Sequence, residues 1–160
     1  AQAVCDNTEL NTIFFPTYGA AQRGGTANCF VVISDSKVGT PRADVMDDLM
    51  VLNNPSLNKF INTVKPGGNV FINSTIVTDE VKRDDVNVIS VPGTEIAMGL
   101  GNGKVLNVVM LGAYLGYTEV FPPEVMWKTI EHKLGKKVQL LPLNKEAFEK
   151  GLEIGRAHRK

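Results

Sequence analysis

The 160-residue sequence contains little cysteine, with only Cys5 and Cys29, far apart in the chain. An iron–sulfur cluster is held by a set of thiolates, and a zinc ribbon by closely spaced cysteine pairs. The two separated thiols exclude a cluster or a zinc ribbon supplied by this chain alone. They also do not indicate a disulfide framework, so a reducing cytoplasm is the simplest setting.

Long apolar runs and an excess of one charge are also missing. No run approaches the roughly 18 residues that a membrane-crossing helix needs. Lys+Arg and Asp+Glu both number 17, which gives a formal net charge of +0. This balance predicts no extended basic surface, so we expect neither nucleic acid nor a membrane as partner. The hydrophobic fraction of 43% is globular, and residues 1–160 are expected to form one domain.

Familiar catalytic motifs are absent as well. The sequence has neither a Gly-x-Ser-x-Gly elbow nor a His-Glu-x-x-His pair. His132 and His158 lie in predicted helices among charged residues, which is typical of exposed faces. We therefore assign no catalytic and no metal-binding residue, and the chain is poorly equipped to act as an enzyme by itself.

The pattern of apolar residues predicts early strands and late helices. The predicted strands are 12–15, 28–34, 48–52, 69–73 and 86–91. The predicted helices are 54–64, 106–117, 123–135 and 144–157. We expect Pro16 to end the first strand, both faces of strand 28–34 to be covered, and Asn54 and Asn144 to cap helices. This order predicts an α/β fold: a three-layer α/β/α sandwich with a mostly parallel or mixed sheet and a helical C-terminal third.

Three motifs have ordinary structural explanations. Lys65-Pro66-Gly67-Gly68 resembles a turn of class I methyltransferases, but a Pro-Gly helix stop before a strand is generic. The glycine-rich segment 99–104 lacks the spacing of a phosphate-binding loop and is interpreted as a link between helices. Asp44, Asp47 and Asp48 are better explained by turn capping and solvation than by a cation.

The segment from Tyr18 to Asn28 has more of the character of a site. Arg23 offers a planar fork of donors that suits a carboxylate or a phosphate. Gly24 and Gly25 allow another backbone or a ligand to approach closely, while Thr26 and Asn28 point to one side of an extended strand. An ordinary turn with a solvated arginine is the competing interpretation.

Several motifs together carry a family resemblance. They are Tyr18-Gly19, Arg23-Gly24-Gly25-Thr26-Ala27-Asn28, Val31-Val32-Ile33-Ser34-Asp35 with Pro41, Asp48-Leu49, Lys65-Pro66-Gly67-Gly68, Asn73-Ser74 and Asn107-Val108-Val109-Met110-Leu111-Gly112-Ala113. In this order and spacing, over nearly its whole length, the chain resembles the gamma subunit of 2-oxoacid:ferredoxin oxidoreductases. The family's N-terminal strand and Gly-rich turn are not matched, because we expect the sequence to start within the helix that follows them.

The resemblance implies an oligomeric enzyme that decarboxylates a 2-oxoacid oxidatively, forms an acyl-CoA and CO2, and passes electrons to ferredoxin. Thiamine diphosphate, Mg and the iron–sulfur clusters are then expected on partner subunits, and coenzyme A is a substrate. The partners are the alpha and beta subunits, with a delta subunit as a further candidate. This chain would be a scaffold without activity of its own, and self-association of the isolated chain is left open. Gly101-Asn102-Gly103 does not match the Gly-Asp-Gly opening of a thiamine diphosphate motif.

The same resemblance implies a ligand-contacting role near the catalytic subunits, with Arg23 as a contact to a partner subunit or to coenzyme A. The expected cofactor-binding residues are Tyr18, Arg23, Gly24, Gly25, Thr26, Asn28, Ser74 and Thr75. Ser74 and Thr75 follow a predicted strand, at the edge where ligands of open α/β sheets collect. We expect 2-oxoglutarate as the substrate. A truncated methyltransferase-like enzyme and a non-catalytic interaction module are the alternatives.

Overall fold

The structure is a computed structural model in which residues 1–18, 27–40, 44–135 and 137–159 are described. These residues belong to two compact units, Ala1–Met46 and Asp47–Lys160. In the described part of the chain, no helix is both long enough and apolar enough to cross a membrane.

The first unit contains a short helix, α1 (Gln2–Asn7), and a β-hairpin made of β1 (Asn11–Tyr18) and β2 (Ala27–Ser34). The two strands pair antiparallel along their whole length, from Asn11 opposite Ser34 to Tyr18 opposite Ala27. Exposed and half-buried residues alternate along β2, as expected when a strand has one face covered more than the other.

The structure corrects two expectations for this hairpin. No residue of β2 is fully buried, so the prediction that both faces are covered was wrong. Consecutive apolar residues favour a central strand, but here they occupy a two-stranded sheet that offers no second covering layer. Pro16 does not end β1 either. It lies within the strand, opposite Cys29, and a strand with a free edge tolerates the missing N–H of a proline.

The second unit is built on a three-stranded sheet in the order β3-β4-β5. The strands are β3 (Met46–Val51), β4 (Val64–Asn73) and β5 (Asn87–Val91). β4 and β5 pair in parallel, from Asn69 opposite Asn87 to Asn73 opposite Val91. The central residues of β4 are almost fully excluded from solvent, with Val70 and Phe71 both 0% exposed. This part of β4 is therefore covered on both faces and lies inside the core of the second unit.

Between β3 and β4 lies α2 (Asn54–Phe60), followed by a 3₁₀ turn over Ile61–Thr63. The side chain of Asn53 caps α2 by accepting a hydrogen bond of 2.9 Å from the backbone N–H of Ser56. The cap is therefore one residue earlier than the predicted Asn54. The helix also does not end at the predicted Pro-Gly turn, because Pro66, Gly67 and Gly68 already belong to β4.

Four more helices follow β5, and two of them form the tightest contact of the second unit. They are α3 (Gly93–Gly99), α4 (Leu106–Thr118), α5 (Pro123–Leu134) and α6 (Leu141–His158), with 3₁₀ turns at Gly103–Val105 and Val138–Leu140. α6 begins before the predicted cap Asn144, whose amide instead donates to the carbonyl of Leu140 at 2.8 Å. The α/β class and the helical C-terminal third are confirmed. That residues 1–160 act as one domain stays a prediction.

Glycines allow α4 and α6 to approach closely. A Cβ atom built on Gly112 would lie 2.3 Å from the carbonyl oxygen of Phe148, and one on Gly151 would lie 2.1 Å from that of Val109. Gly116 and Gly155 extend the same contact by one helical turn. Because real Cβ atoms do not come so near to a backbone oxygen, only glycine fits these positions.

Candidate functional site at the carboxyl edge of the sheet

The carboxyl ends of β4 and β5 are joined to the start of α3 by a buried amide. Asn73, the last residue of β4, is 0% exposed. Its Nδ2 donates to Oγ1 of Thr94 at 2.9 Å, and its Oδ1 accepts from the backbone N–H of Thr94 at 3.1 Å. This reciprocal pair satisfies the buried amide and fixes the first turn of α3 against the sheet.

Ser74 and Thr75 lie at this edge, as the sequence predicted. The backbone N–H of Ser74 donates to the carbonyl of Val91 at 2.8 Å, which continues the β4–β5 pairing by one residue. Thr75 is exposed, and its Oγ1 accepts from the backbone N–H of Glu95 at 3.2 Å. The hydroxyl of Thr75 therefore holds the start of α3, while its own proton remains available to a ligand acceptor.

The loop after β4 is fixed from the other side by α2. Oδ1 of Asn54 accepts from the backbone N–H groups of Thr78 and Asp79, at 2.9 and 3.2 Å. Nδ2 of Asn58 donates to the carboxylate of Asp79 at 2.8 Å. Val77 is 4% exposed and anchors the same loop in the core. The polar groups of the carboxyl edge are thus presented by a well-supported loop.

The acidic residues of β3 have protein partners. Asp48 accepts hydrogen bonds from Nδ2 of Asn69 at 2.7 Å and from the hydroxyl of Tyr114 at 3.1 Å. Asp47 forms a hydrogen-bonded ion pair with Lys65. The hydrogen bond to the carboxylate of Asp47 raises the pKa of Lys65. In the part of the chain that the structure describes, no group of three His, Cys, Asp or Glu side chains could hold a metal ion.

Tyr114 links this carboxylate to the core. Its ring packs edge-on against Phe71, with 5.3 Å between the ring centroids. Burial raises the pKa of Tyr114 above its ordinary value, and the negative charge of Asp48 raises it further. The hydroxyl is therefore a structural donor that joins α4 to β3, not a base.

The predicted site residues that the structure describes fall into two groups. Tyr18 and Asn28 lie in the hairpin of the first unit, where Asn28 is opposite Thr17. Ser74 and Thr75 lie at the carboxyl edge in the second unit. Arg23, Gly24, Gly25 and Thr26 are outside the described residues.

The residues that hold the carboxyl edge of the sheet together were not predicted from the sequence. Asn73 and Thr94 carry out this task, together with Asn54. The available signal was an asparagine at the end of an apolar strand, where burial requires a partner. Its partner, 21 residues away, could not be found by spacing.

A concavity lies elsewhere in the second unit. It has a volume of about 490 Å³ and is lined by the beginning of β5, Tyr117, His158 and Arg159. The guanidinium of Arg159 forms an ion pair with Glu119. The groove includes none of the predicted site residues.

Comparison with protein families decides the relationship. The model of the pyruvate ferredoxin/flavodoxin oxidoreductase family matches residues 1–154. The chain belongs to this family. Within the family, it is 36% identical over 158 residues to the ketoisovalerate oxidoreductase subunit VorA of Methanothermobacter marburgensis, covering 98% of this chain and 32% of VorA. It thus spans about a third of the length of that relative.

Other family members are closer in length. The chain is 33% identical over 158 residues to the 2-oxoglutarate synthase subunit KorC of Methanocaldococcus jannaschii, covering 98% of this chain and 82% of KorC. Among solved structures, the gamma subunit of a keto/oxoacid ferredoxin oxidoreductase from Geobacter sulfurreducens PCA has a TM-score of 0.82 at 26% identity, covering 98% of this chain and 87% of that one.

A further similarity concerns the fold alone. The 2-oxoglutarate:ferredoxin oxidoreductase from Magnetococcus marinus, with 2-oxoglutarate, coenzyme A and succinyl-CoA bound, has a TM-score of 0.84 at 24% identity. The similarity covers 98% of this chain and 27% of that one. The same α/β unit therefore occurs both as a short chain and as part of a longer one.

Proposed function

We propose that this chain is the gamma subunit of a multi-subunit 2-oxoacid:ferredoxin oxidoreductase. The family match over residues 1–154 carries the proposal. The fold similarity to a gamma subunit over 98% of the chain supports it. In the complex, a 2-oxoacid and coenzyme A give an acyl-CoA and CO2, and the two electrons released pass to ferredoxin.

The donor set of the described residues supports placing the redox cofactors on other subunits. Cys5 and Cys29 are the two cysteines of the chain, and both are free and exposed. They cannot hold an iron–sulfur cluster by themselves. Thiamine diphosphate and Mg belong, in this proposal, to the alpha and beta subunits, and ferredoxin docks on the assembled complex. We place this complex in the cytoplasm.

The role of this chain is to support the catalytic subunits and to help position coenzyme A. Coenzyme A has phosphates that suit the guanidinium of Arg23 and amides that suit hydroxyl groups. The proton of the Thr75 hydroxyl lies at an edge where open α/β sheets collect ligands. The other residues predicted from the sequence to contact the ligand are Tyr18, Gly24, Gly25, Thr26, Asn28 and Ser74, and these stay predictions.

The substrate is a finer question. Two of the relatives reported above have names that refer to ketoisovalerate and to 2-oxoglutarate. Because the pocket that selects the 2-oxoacid would lie on other subunits, 2-oxoglutarate stays a prediction. The methyltransferase-like alternative has no support: its supposed turn lies within β4, where the N–H of Gly67 donates to the carbonyl of Asp85 at 2.6 Å.

The test is capture of the tagged chain from its native cell extract, followed by identification of the proteins that copurify. The proposal predicts subunits that carry thiamine diphosphate and iron–sulfur clusters, in equal amounts with this chain. Recovery of the chain alone, or only with itself, would contradict the proposal and favour the interaction module.

A further inference from the structure

One face of the β1–β2 hairpin is apolar and open to solvent. Phe14 is 57% exposed, Val31 48% and Ile33 38%. The register places Phe14 directly opposite Val31, and Pro16 directly opposite Cys29. Because alternate residues of a strand share a face, these five residues form one surface, which we call the exposed hairpin face.

This surface has no charge of its own. The sequences of β1 and β2, NTIFFPTY and ANCFVVIS, contain no Asp, Glu, Lys or Arg, although 21% of the whole chain is charged. Strands that face water usually carry polar or charged residues, which also prevent unwanted association. A two-stranded hairpin is also only marginally stable in water. Both points indicate that another surface covers this face.

The absence of charge defines the kind of partner. Transient redox partners such as ferredoxins are steered to their docking sites by complementary charges, whereas permanent subunit interfaces are more apolar. In VorA and in the Magnetococcus chain, the matching unit makes up 32% and 27% of a longer polypeptide. There it is covalently continuous with the rest of its chain.

We propose that the exposed hairpin face packs permanently against an uncharged, apolar surface of another subunit of the same oxidoreductase. The inference rests on the proposed function and adds to it the surface through which the chain assembles. Ferredoxin and a second copy of this chain are the alternative occupants, and the experiments below distinguish them from a partner subunit.

The first experiment is co-expression of the tagged chain with the other subunits, followed by affinity purification. Replacing Phe14→Lys and Val31→Lys together should lower the copurified partner subunits at least tenfold, because two buried charges would have no counter-ions. Met98→Lys is the matched control, since Met98 is 65% exposed and lies in the second unit. It should leave the recovery unchanged.

Folding and assembly are separated by measuring the isolated variants. The double variant should keep the circular dichroism spectrum and the melting temperature of the wild type. Undiminished recovery of partners by this variant would overturn the inference and leave the proposed function standing. A wild-type chain that captures no subunit would overturn both. A wild-type homodimer that the double variant converts to a monomer would assign the face to a second copy instead.

The alkylation rate of Cys29 provides a second, independent test that does not depend on a disruptive variant. In a Cys5→Ser background Cys29 is the remaining thiol of this chain. Its alkylation should be at least tenfold slower in the purified complex than in the isolated chain, and ferredoxin should not change the rate. Equal alkylation rates in the complex and in the isolated chain would contradict the inference.

Discussion

The amide of Asn73 is the residue on which the carboxyl edge depends. Asn73→Ala removes both hydrogen bonds to Thr94 and leaves two polar groups without partners. We expect a loss of about 1–3 kcal/mol in the free energy of unfolding, measured by urea denaturation. Asn58→Ala is the control, because its hydrogen bond to Asp79 is exposed. An equal effect of the two variants would contradict the structural role of Asn73.

Tyr114 should make the stability depend on alkaline pH. Burial and Asp48 raise its pKa above the ordinary value of 10.0. The folded state therefore holds the phenol proton more tightly, so its contribution is complete below the ordinary pKa and is lost as the pH rises through the raised one. We expect the melting temperature of the wild type to fall more steeply than that of Tyr114→Phe above about pH 10. Parallel profiles would contradict this assignment.

Arg23 tests the proposed contact to coenzyme A. Arg23→Ala should raise the apparent KM for coenzyme A of the assembled enzyme by about 10–100-fold, because a hydrogen bond to a charged group contributes about 1.5–3 kcal/mol. Arg23→Lys should recover part of the loss, since it keeps the charge but not the fork. Arg159→Ala, which removes an ion pair with Glu119, is the control. Unchanged assembly, KM and turnover would show that Arg23 is a solvated turn residue.

These residues also show which features of the site can be predicted from the sequence. Ser74 and Thr75 were located correctly at the end of β4, because the apolar run that precedes them marks the strand. The partners of Asn73 and Asp48 were not predicted, because contacts over 21 and 66 residues follow from the packing of the elements and not from local pattern.

The glycines of α4 and α6 define the closest contact between two helices of the second unit. Gly151→Ala places a methyl group against the carbonyl of Val109, and Gly112→Ala does the same against Phe148. Backbone cannot move aside as a side chain can, so each variant should lose about 1–3 kcal/mol in the free energy of unfolding. Gly99→Ala is the control, because nothing lies within 4 Å of its added Cβ atom. A difference of less than about 1 kcal/mol between core and control variants would contradict the close approach.

Elements with a strong period were predicted well, and their ends were not. The pattern of apolar residues predicted a helix over 106–117, and the structure has α4 there with one residue more, at Thr118. The ends of α2 and α6 were misplaced because the capping side chain, or its absence, decides them. β2 was misjudged because a run of apolar residues does not show whether the chain's own elements cover both faces of the strand.

The chain combines a buried core with an exposed apolar surface. Its second unit has a complete buried core and a supported carboxyl edge, whereas its hairpin exposes an uncharged apolar face. Among the described residues, no group of three or more His, Cys, Asp and Glu side chains could hold a metal ion. The proposed role as a subunit connects these features, since it requires an interface and a ligand-binding edge.

The most direct test is reconstitution of the enzyme with and without this chain. Purified partner subunits are combined with the chain, and reduction of ferredoxin is followed with each of several 2-oxoacids, in the presence and absence of coenzyme A. We predict electron transfer that requires the chain, coenzyme A and a 2-oxoacid, and that is fastest with 2-oxoglutarate, while the chain alone is inactive. Full activity of the partner subunits without this chain would contradict its assignment as a gamma subunit.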